Sequence, residues 1–225
     1  MSRPSIIERT IERTIEVLRH VPALLSIRQD KSPIDTVAAL KEFVSTRSVY
    51  LAQKTLYGYV KTRMGIRYVS MFEDANIQAS LNIAKHHVFA ACLSDFAVFA
   101  TAVSLRGQPV GNDERIALAR QIYEAGIAEN TQDAPEQFVP QDAVRAFAER
   151  AAATEWRVAA ISPENFTASP QALYRWAPIA DRLKKLDREV VENSVTFGWR
   201  DIREQFHKRL VADAVAADWT ARASN

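Results

Sequence analysis

Apolar residues recur along most of the chain at intervals of three and four, the period of an amphipathic α-helix. At the N-terminus, Ile7, Ile11, Ile15 and Leu18 follow this spacing and predict a first helix within residues 1–21. Arg, Glu and Thr residues occupy most of the remaining positions of that helix, so it is amphipathic and its apolar stripe must pack against another surface. We expect it to dock on its own domain, and a partner chain or a membrane surface is the alternative.

Helix starts further along the chain are marked by Ser-Pro pairs and their relatives. Ser32-Pro33 predicts the start of a second, long helix that runs to about Arg63 and is closed by Gly65. The other starts are marked at Val139-Pro140, Ser162-Pro163 and Ser169-Pro170. Further helices are predicted at 68–105, with room for one break, and at 113–128, 141–161 and 179–219, with short turns or helical pieces at 162–178.

The last predicted helix carries a heptad-like apolar pattern. Leu183, Leu186, Val190 and Phe197 occupy its apolar positions, and Asn193 stands where another apolar residue is expected. Asn193 could set the register between two helices or could simply face water. The stripe shifts near Gly198, which predicts a bend.

Composition supports a fold made of helices. The chain of 225 residues has only 6 glycines, while strong helix formers are plentiful, so sheet should be no more than incidental. We predict an all-α, single-domain bundle of about six helices over residues 1–225, with long helices around an Ala-rich central third helix. Loop 129–141 is where a subdomain boundary would fall.

Three features predict a cytoplasmic protein that does not insert into a membrane. The apolar run at 88–105 contains Asp95, which would cost roughly 2.5 to 3.5 kcal/mol in a bilayer, so a buried central helix is expected instead. Glutamates interrupt the N-terminal segment where a secretory signal would be apolar. The single cysteine, Cys92, cannot form an intramolecular disulfide, which fits a reducing compartment.

Charge is distributed unevenly although the net charge is only +2. Residues 43–72 contain five basic and no acidic residues, whereas residues 112–142 contain seven acidic and two basic residues. One face of the second helix combines cations with tyrosines: Arg47, Tyr50, Lys54, Tyr57 and Lys61. Such a face suits phosphate-bearing or acidic partners. The alternative is that the rings pack at the core edge beneath the cationic stems. The basic and acidic segments could meet within one fold, pair between subunits of a homo-oligomer, or steer different partners.

Few residue patterns in the sequence suggest that the protein is an enzyme. Asp201, Glu204 and His207 resemble half of a carboxylate di-iron site, but the sequence has no second Glu-x-x-His, so no metal and no cofactor is predicted. His86 and His87 precede the apolar run and could handle protons or contact a ligand. A pocket between the third and last helices could use both groups.

These observations favour a non-catalytic helical interaction protein, an adaptor, regulator or assembly factor that binds a protein partner through the basic and aromatic helix face. Nucleic acid is not expected as a partner, because the charge is nearly balanced and no basic motif is present. The alternatives are a helical enzyme or ligand carrier with a pocket between helices, and a peripheral membrane protein attached through its first helix.

Overall fold

The computed structural model describes residues 31–67, 70, 72–161 and 163–223. Within them lie two short 3-10 helices, Gly65–Arg67 and Pro163–Phe166, and no β-strand. The predicted all-α class is confirmed, while the predicted first helix at 1–21 lies outside the described residues. The α-helices are α1 Val37–Met64, α2 Ala75–Ser104, α3 Asn112–Asn130, α4 Pro140–Ala153, α5 Ala168–Trp176, α6 Asp181–Lys184, α7 Arg188–Arg209 and α8 Ala212–Ala223.

The start of α1 differs from the prediction at Ser32-Pro33. Thr36 caps the helix instead, and its hydroxyl oxygen accepts a hydrogen bond from the Ala39 N–H at 3.1 Å. The preceding Ile34 is buried and extended, because its N–H donates to the carbonyl of Arg209 at 2.8 Å. The predicted end of α1 at Gly65 is confirmed. Gly65 has a φ of 57°, and its N–H donates to the Lys61 carbonyl.

The predicted helix 179–219 is divided into α6, α7 and α8, and the same contact explains the break between α7 and α8. Leu210 leaves the helical conformation, and the N–H of Val211 donates to the Ile34 carbonyl at 2.9 Å instead of to its own helix. Gly198 lies within the unbroken α7, where a Cβ would overlap the side chain of Leu51 in α1. The glycine therefore lets the two helices approach closely.

Helix α2 is the central element, as predicted. It packs against α1, α3 and α5, and its Phe96 ring contacts Phe43 of α1 together with Trp199 and Phe206 of α7. Its length and composition alone would let it cross a membrane, but 83% of its most apolar window is buried inside the fold. Core helices of soluble proteins have the same character, so this apolarity fits a core helix.

The loop between α3 and α4 does not divide the described chain. The two helices pack against each other, and Pro33–Asn225 form one compact unit. The predicted start of α4 is confirmed, because Pro140 is its first residue and Val139 its N-cap.

Candidate functional site

The predicted basic and aromatic face of α1 is only partly on the surface. Arg47 is just 3% exposed, and its guanidinium lies 4.9 Å from the centre of the Phe43 ring. The guanidinium of Arg209 lies 4.9 Å from the same ring, so the end of α7 covers this part of α1. Arg47 is therefore removed from the predicted binding surface.

The second half of that face remains accessible. Lys54 and Lys61 are exposed, and the Lys54 ammonium lies 5.6 Å from the centre of the half-buried Tyr50 ring. Tyr57 is partly exposed and its ring contacts Phe72 at 6.1 Å between centroids. Four of the five predicted residues thus still share a surface.

His86 and His87 both hold the loop between α3 and α4. His86 is buried and its Nδ1–H donates to the Asn82 carbonyl at 2.8 Å, while its Nε2 lies 3.5 Å from a carboxylate oxygen of Asp133. His87 stacks on Trp176 with 3.5 Å between ring centroids and 1° between planes. Burial lowers the pKa of His87, so the neutral ring is favoured and its Nε2–H can donate to the carbonyl of Gln137.

An open pocket of about 440 Å³ lies beside His87, between α2, α3 and α4. Its walls are mainly small and aromatic residues, including Ala91, Ala146 and Phe147, with Arg150 at one side. This size and character suit a small, mostly apolar molecule. His87, one of the residues predicted to line a pocket between helices, lines this pocket.

Asp201, Glu204 and His207 lie elsewhere, exposed on α7. Glu204 forms an ion pair with Lys208 at 2.6 Å, and the ring of His207 meets Phe99 edge-on. The core side of α7 is instead apolar, as Ile202 and Phe206 show. The structure does not bring the two predicted groups together at the pocket, and in the described ranges no three potential metal ligands cluster.

A buried polar network that was not predicted from the sequence lies behind the pocket. Asp95 is fully buried and accepts hydrogen bonds from Arg150 at 2.8 Å and from the Ser169 N–H and hydroxyl at 2.8 and 2.6 Å. Ser169 in turn accepts from Trp199 Nε1 at 2.9 Å. Burial raises the pKa of Asp95, although Arg150 opposes that shift. The carboxylate positions α4 and the start of α5 against α2. In the sequence, the sign of this network was an acidic residue, Asp95, inside an apolar run.

The apolar residues of the heptad-like pattern near the C-terminus are exposed on α6, on the turn that follows it and on α7. Leu186 is 79% exposed, Val190 65% and Phe197 58%, and Leu183 adds to the same spacing. Asn193 lies on the surface in the middle of this row. The opposite side of α7 buries Val191 and Val195 in the core, so the helix has apolar residues on two faces. We call the exposed row, Leu183, Leu186, Val190, Asn193 and Phe197, the α7 seam.

Comparison of the chain with family models, with curated proteins and with solved structures found no match. Its own surfaces are therefore the basis for inferring what it does. The two with the clearest chemistry are the α7 seam and the pocket beside His87.

Proposed function

We propose that the chain is a non-catalytic helical interaction protein of the cytoplasm, an adaptor, regulator or assembly factor that binds a protein partner. The observation that carries this proposal is the exposure of the α7 seam. Large apolar side chains grouped on a surface mark a site of association, because water is a poor solvent for them. The buried free thiol of Cys92 fits the reducing compartment.

The spacing of the seam supports a protein as the bound molecule. Intervals of three and four residues are those at which one helix inserts its side chains between those of another. An isolated exposed leucine would need no explanation, but Val190 and Phe197 are exposed two turns apart on one side of α7, and the exposed Leu186 lies in the turn just before it. We propose that the exposed part of the α1 face, Lys54, Tyr57 and Lys61, contributes a second, more polar contact.

Native mass spectrometry of the protein purified gently from its own cytosol tests this proposal. We expect an assembly that contains another protein, and we expect its loss when Val190→Asp and Phe197→Asp are combined. Ile161→Asp is the matched control, because Ile161 is an equally apolar, exposed residue outside α7. A bare subunit from the unaltered protein, or an assembly that survives the double substitution, would contradict the proposal.

A second candidate function is carriage of a small, mostly apolar ligand, which the pocket beside His87 favours. The same spectrum would then show a stoichiometric small-molecule adduct. Ala146→Trp should remove it by filling the pocket, whereas His207→Ala on α7 should leave it in place. An adduct that tolerates the tryptophan would argue against this pocket as its site.

A further inference from the structure

We propose that the pocket beside His87 binds an uncharged molecule with an apolar body and a carbonyl group at one end, such as a medium-chain amide or ester. The inference rests on the second candidate function, carriage of a small, mostly apolar ligand. It adds the chemical class of that ligand and the direction in which the ligand lies.

The pocket is a slot between α2 and α4. One end lies at His87, whose Nε2 is 3.2 Å from the carbonyl oxygen of Gln137 in the loop before α4. The other end lies at Ser94, which accepts a hydrogen bond from Arg150 Nη1 at 2.7 Å. Along α2, His87 and Ser94 are about 10 Å apart at the helical rise.

The walls between these two ends are made of small apolar side chains. Both helices present alanines to the slot: Ala90 and Ala91 on α2, and Ala143 and Ala146 on α4. Because an alanine side chain ends at Cβ, the facing helices leave space between them that water fills poorly. A short hydrocarbon chain suits this part of the pocket.

The end at Ser94 offers hydrogen-bond donors. The Ser94 hydroxyl oxygen accepts from Arg150, and in the described chain its own hydrogen has no acceptor. Arg150 donates from Nη1 to Ser94 and Asp95 and from Nη2 to a backbone carbonyl, whereas its Nε–H has no acceptor among the described residues. A ligand atom that accepts hydrogen bonds therefore fits this end.

Tyr123 adds a third donor to the pocket. The residue is only 2% exposed, and its ring stacks on Phe147, one turn before Arg150, with 4.1 Å between ring centroids. No described residue forms a hydrogen bond with its hydroxyl, although Tyr123 lines the pocket. Burial raises the pKa of Tyr123, so the phenol keeps its proton and can donate it to a ligand.

The charges around the slot are already balanced, which favours an uncharged ligand. Asp95 accepts from Arg150 at 2.8 Å, and at the other end Asp142 pairs with Arg145 at 2.8 Å. Burial lowers the pKa of His87, which favours its neutral ring. A carboxylate or an ammonium group would lose hydration in the slot without gaining an unpaired counter-charge. A carbonyl oxygen accepts the same hydrogen bonds without that cost.

Ligand-observed NMR titrations of the full chain test the inference with three probes that share one hydrocarbon chain: octanamide, octanoate and octylamine. We expect octanamide to bind at least about tenfold more tightly than either charged probe, because only the charged head groups need a counter-charge. Equal or tighter binding of octanoate or octylamine would overturn the uncharged ligand. Absence of saturable octanamide binding would overturn it as well.

Two variants test where the ligand lies. Tyr123→Phe removes the hydroxyl and keeps the stacked ring, so octanamide should bind roughly three- to tenfold more weakly, the effect of one hydrogen bond. Ala146→Trp should abolish binding by filling the slot. Tyr57→Phe on α1 is the matched control, because it removes a phenol hydroxyl away from the pocket.

Circular dichroism of each variant checks that the fold is retained. An affinity for octanamide that Tyr123→Phe leaves unchanged, or binding that survives Ala146→Trp, would overturn the inference.

Native mass spectrometry separates failure of this inference from failure of ligand carriage. An adduct that Ala146→Trp removes, from a protein that does not prefer octanamide, would leave carriage in place and overturn only the proposed ligand class. A preference for octanamide in a protein that is purified without any adduct would support the chemistry of the pocket and contradict carriage.

Discussion

Replacement of the buried Asp95 by alanine is expected to destabilise the protein strongly. The carboxylate is the common acceptor for Arg150 of α4 and for Ser169 of α5, and it lies in the core on α2. Asp95→Ala would leave the guanidinium without its counter-charge and the first N–H groups of α5 without a cap. Three helices would lose their shared polar contact.

The size of the effect follows from these lost contacts. Removal of one partner from a buried ion pair costs about 3 to 5 kcal/mol, because the other charge stays in the protein without compensation. The side chain of Arg150 is 26% exposed and keeps some contact with water, which reduces the cost. Loss of the cap adds about 1 kcal/mol. We therefore expect the free energy of unfolding to fall by about 3 to 4 kcal/mol.

Urea denaturation followed by circular dichroism measures this change, as a lower midpoint with an unchanged slope. Asp142→Ala is the matched control, because it removes a carboxylate from an exposed pair with Arg145. That loss should stay below about 1 kcal/mol. If Asp95→Ala were no more costly than Asp142→Ala, the buried network would not stabilise the fold as argued.

Three further predictions follow from packing and burial. Gly198→Ala should lower the free energy of unfolding by about 1 kcal/mol or more, because the added methyl group would overlap the Leu51 side chain in the core. Gly58→Ala has open space around it and should raise the free energy of unfolding by up to about 1 kcal/mol. Thermal melts that rank the two variants in the opposite order would contradict the packing. Arg47→Glu should cost about 3 kcal/mol or more and Lys54→Glu about 0.5 kcal/mol or less, and equal urea midpoints would refute the burial of Arg47. The stability of the unaltered protein relative to Asp95→Asn should rise as the pH falls from neutral toward about 4. Burial raises the Asp95 pKa above that of the unfolded chain, so the protonated carboxyl group favours the folded state and its stabilising contribution is lost as the pH rises through the folded-state pKa. A difference in urea midpoints that stays flat across this range would contradict the prediction.

Local chemistry was enough to predict several helix ends. The start of α4 at Pro140 and the end of α1 at Gly65 depend on the backbone preferences of single residues. The bounds of α3, Asn112–Asn130, differ little from the predicted 113–128. Such signals act within one or two turns and need no knowledge of the rest of the chain.

Contacts between distant residues decided where the prediction failed. The start of α1 and the break at Leu210 share one cause, the pairing of Ile34 with residues far along the chain. Helical periodicity placed Arg47 on one face with Lys54, but it could not show that α7 covers one end of that face. Asp95 and Arg150 are likewise far apart in sequence, so their pairing had no local signal.

The α7 seam shows the limit of periodicity as a guide to burial. The row from Leu183 to Phe197 was visible as a heptad-like pattern, and such a row is usually read as core. In the folded chain Val191 and Val195, on the other side of the helix, face the core instead. Spacing can predict which side chains share a face, whereas packing decides whether that face is covered.

Site-specific photo-crosslinking in cells of its own source tests protein binding at the seam most directly. A photoreactive phenylalanine analogue at position 197 samples the seam, and the same analogue at the exposed Glu149 on α4 samples another surface. We predict one discrete protein adduct from position 197 that Val190→Asp removes, and no such adduct from position 149. No protein adduct at position 197, or the same adduct from both positions, would contradict a binding surface on α7.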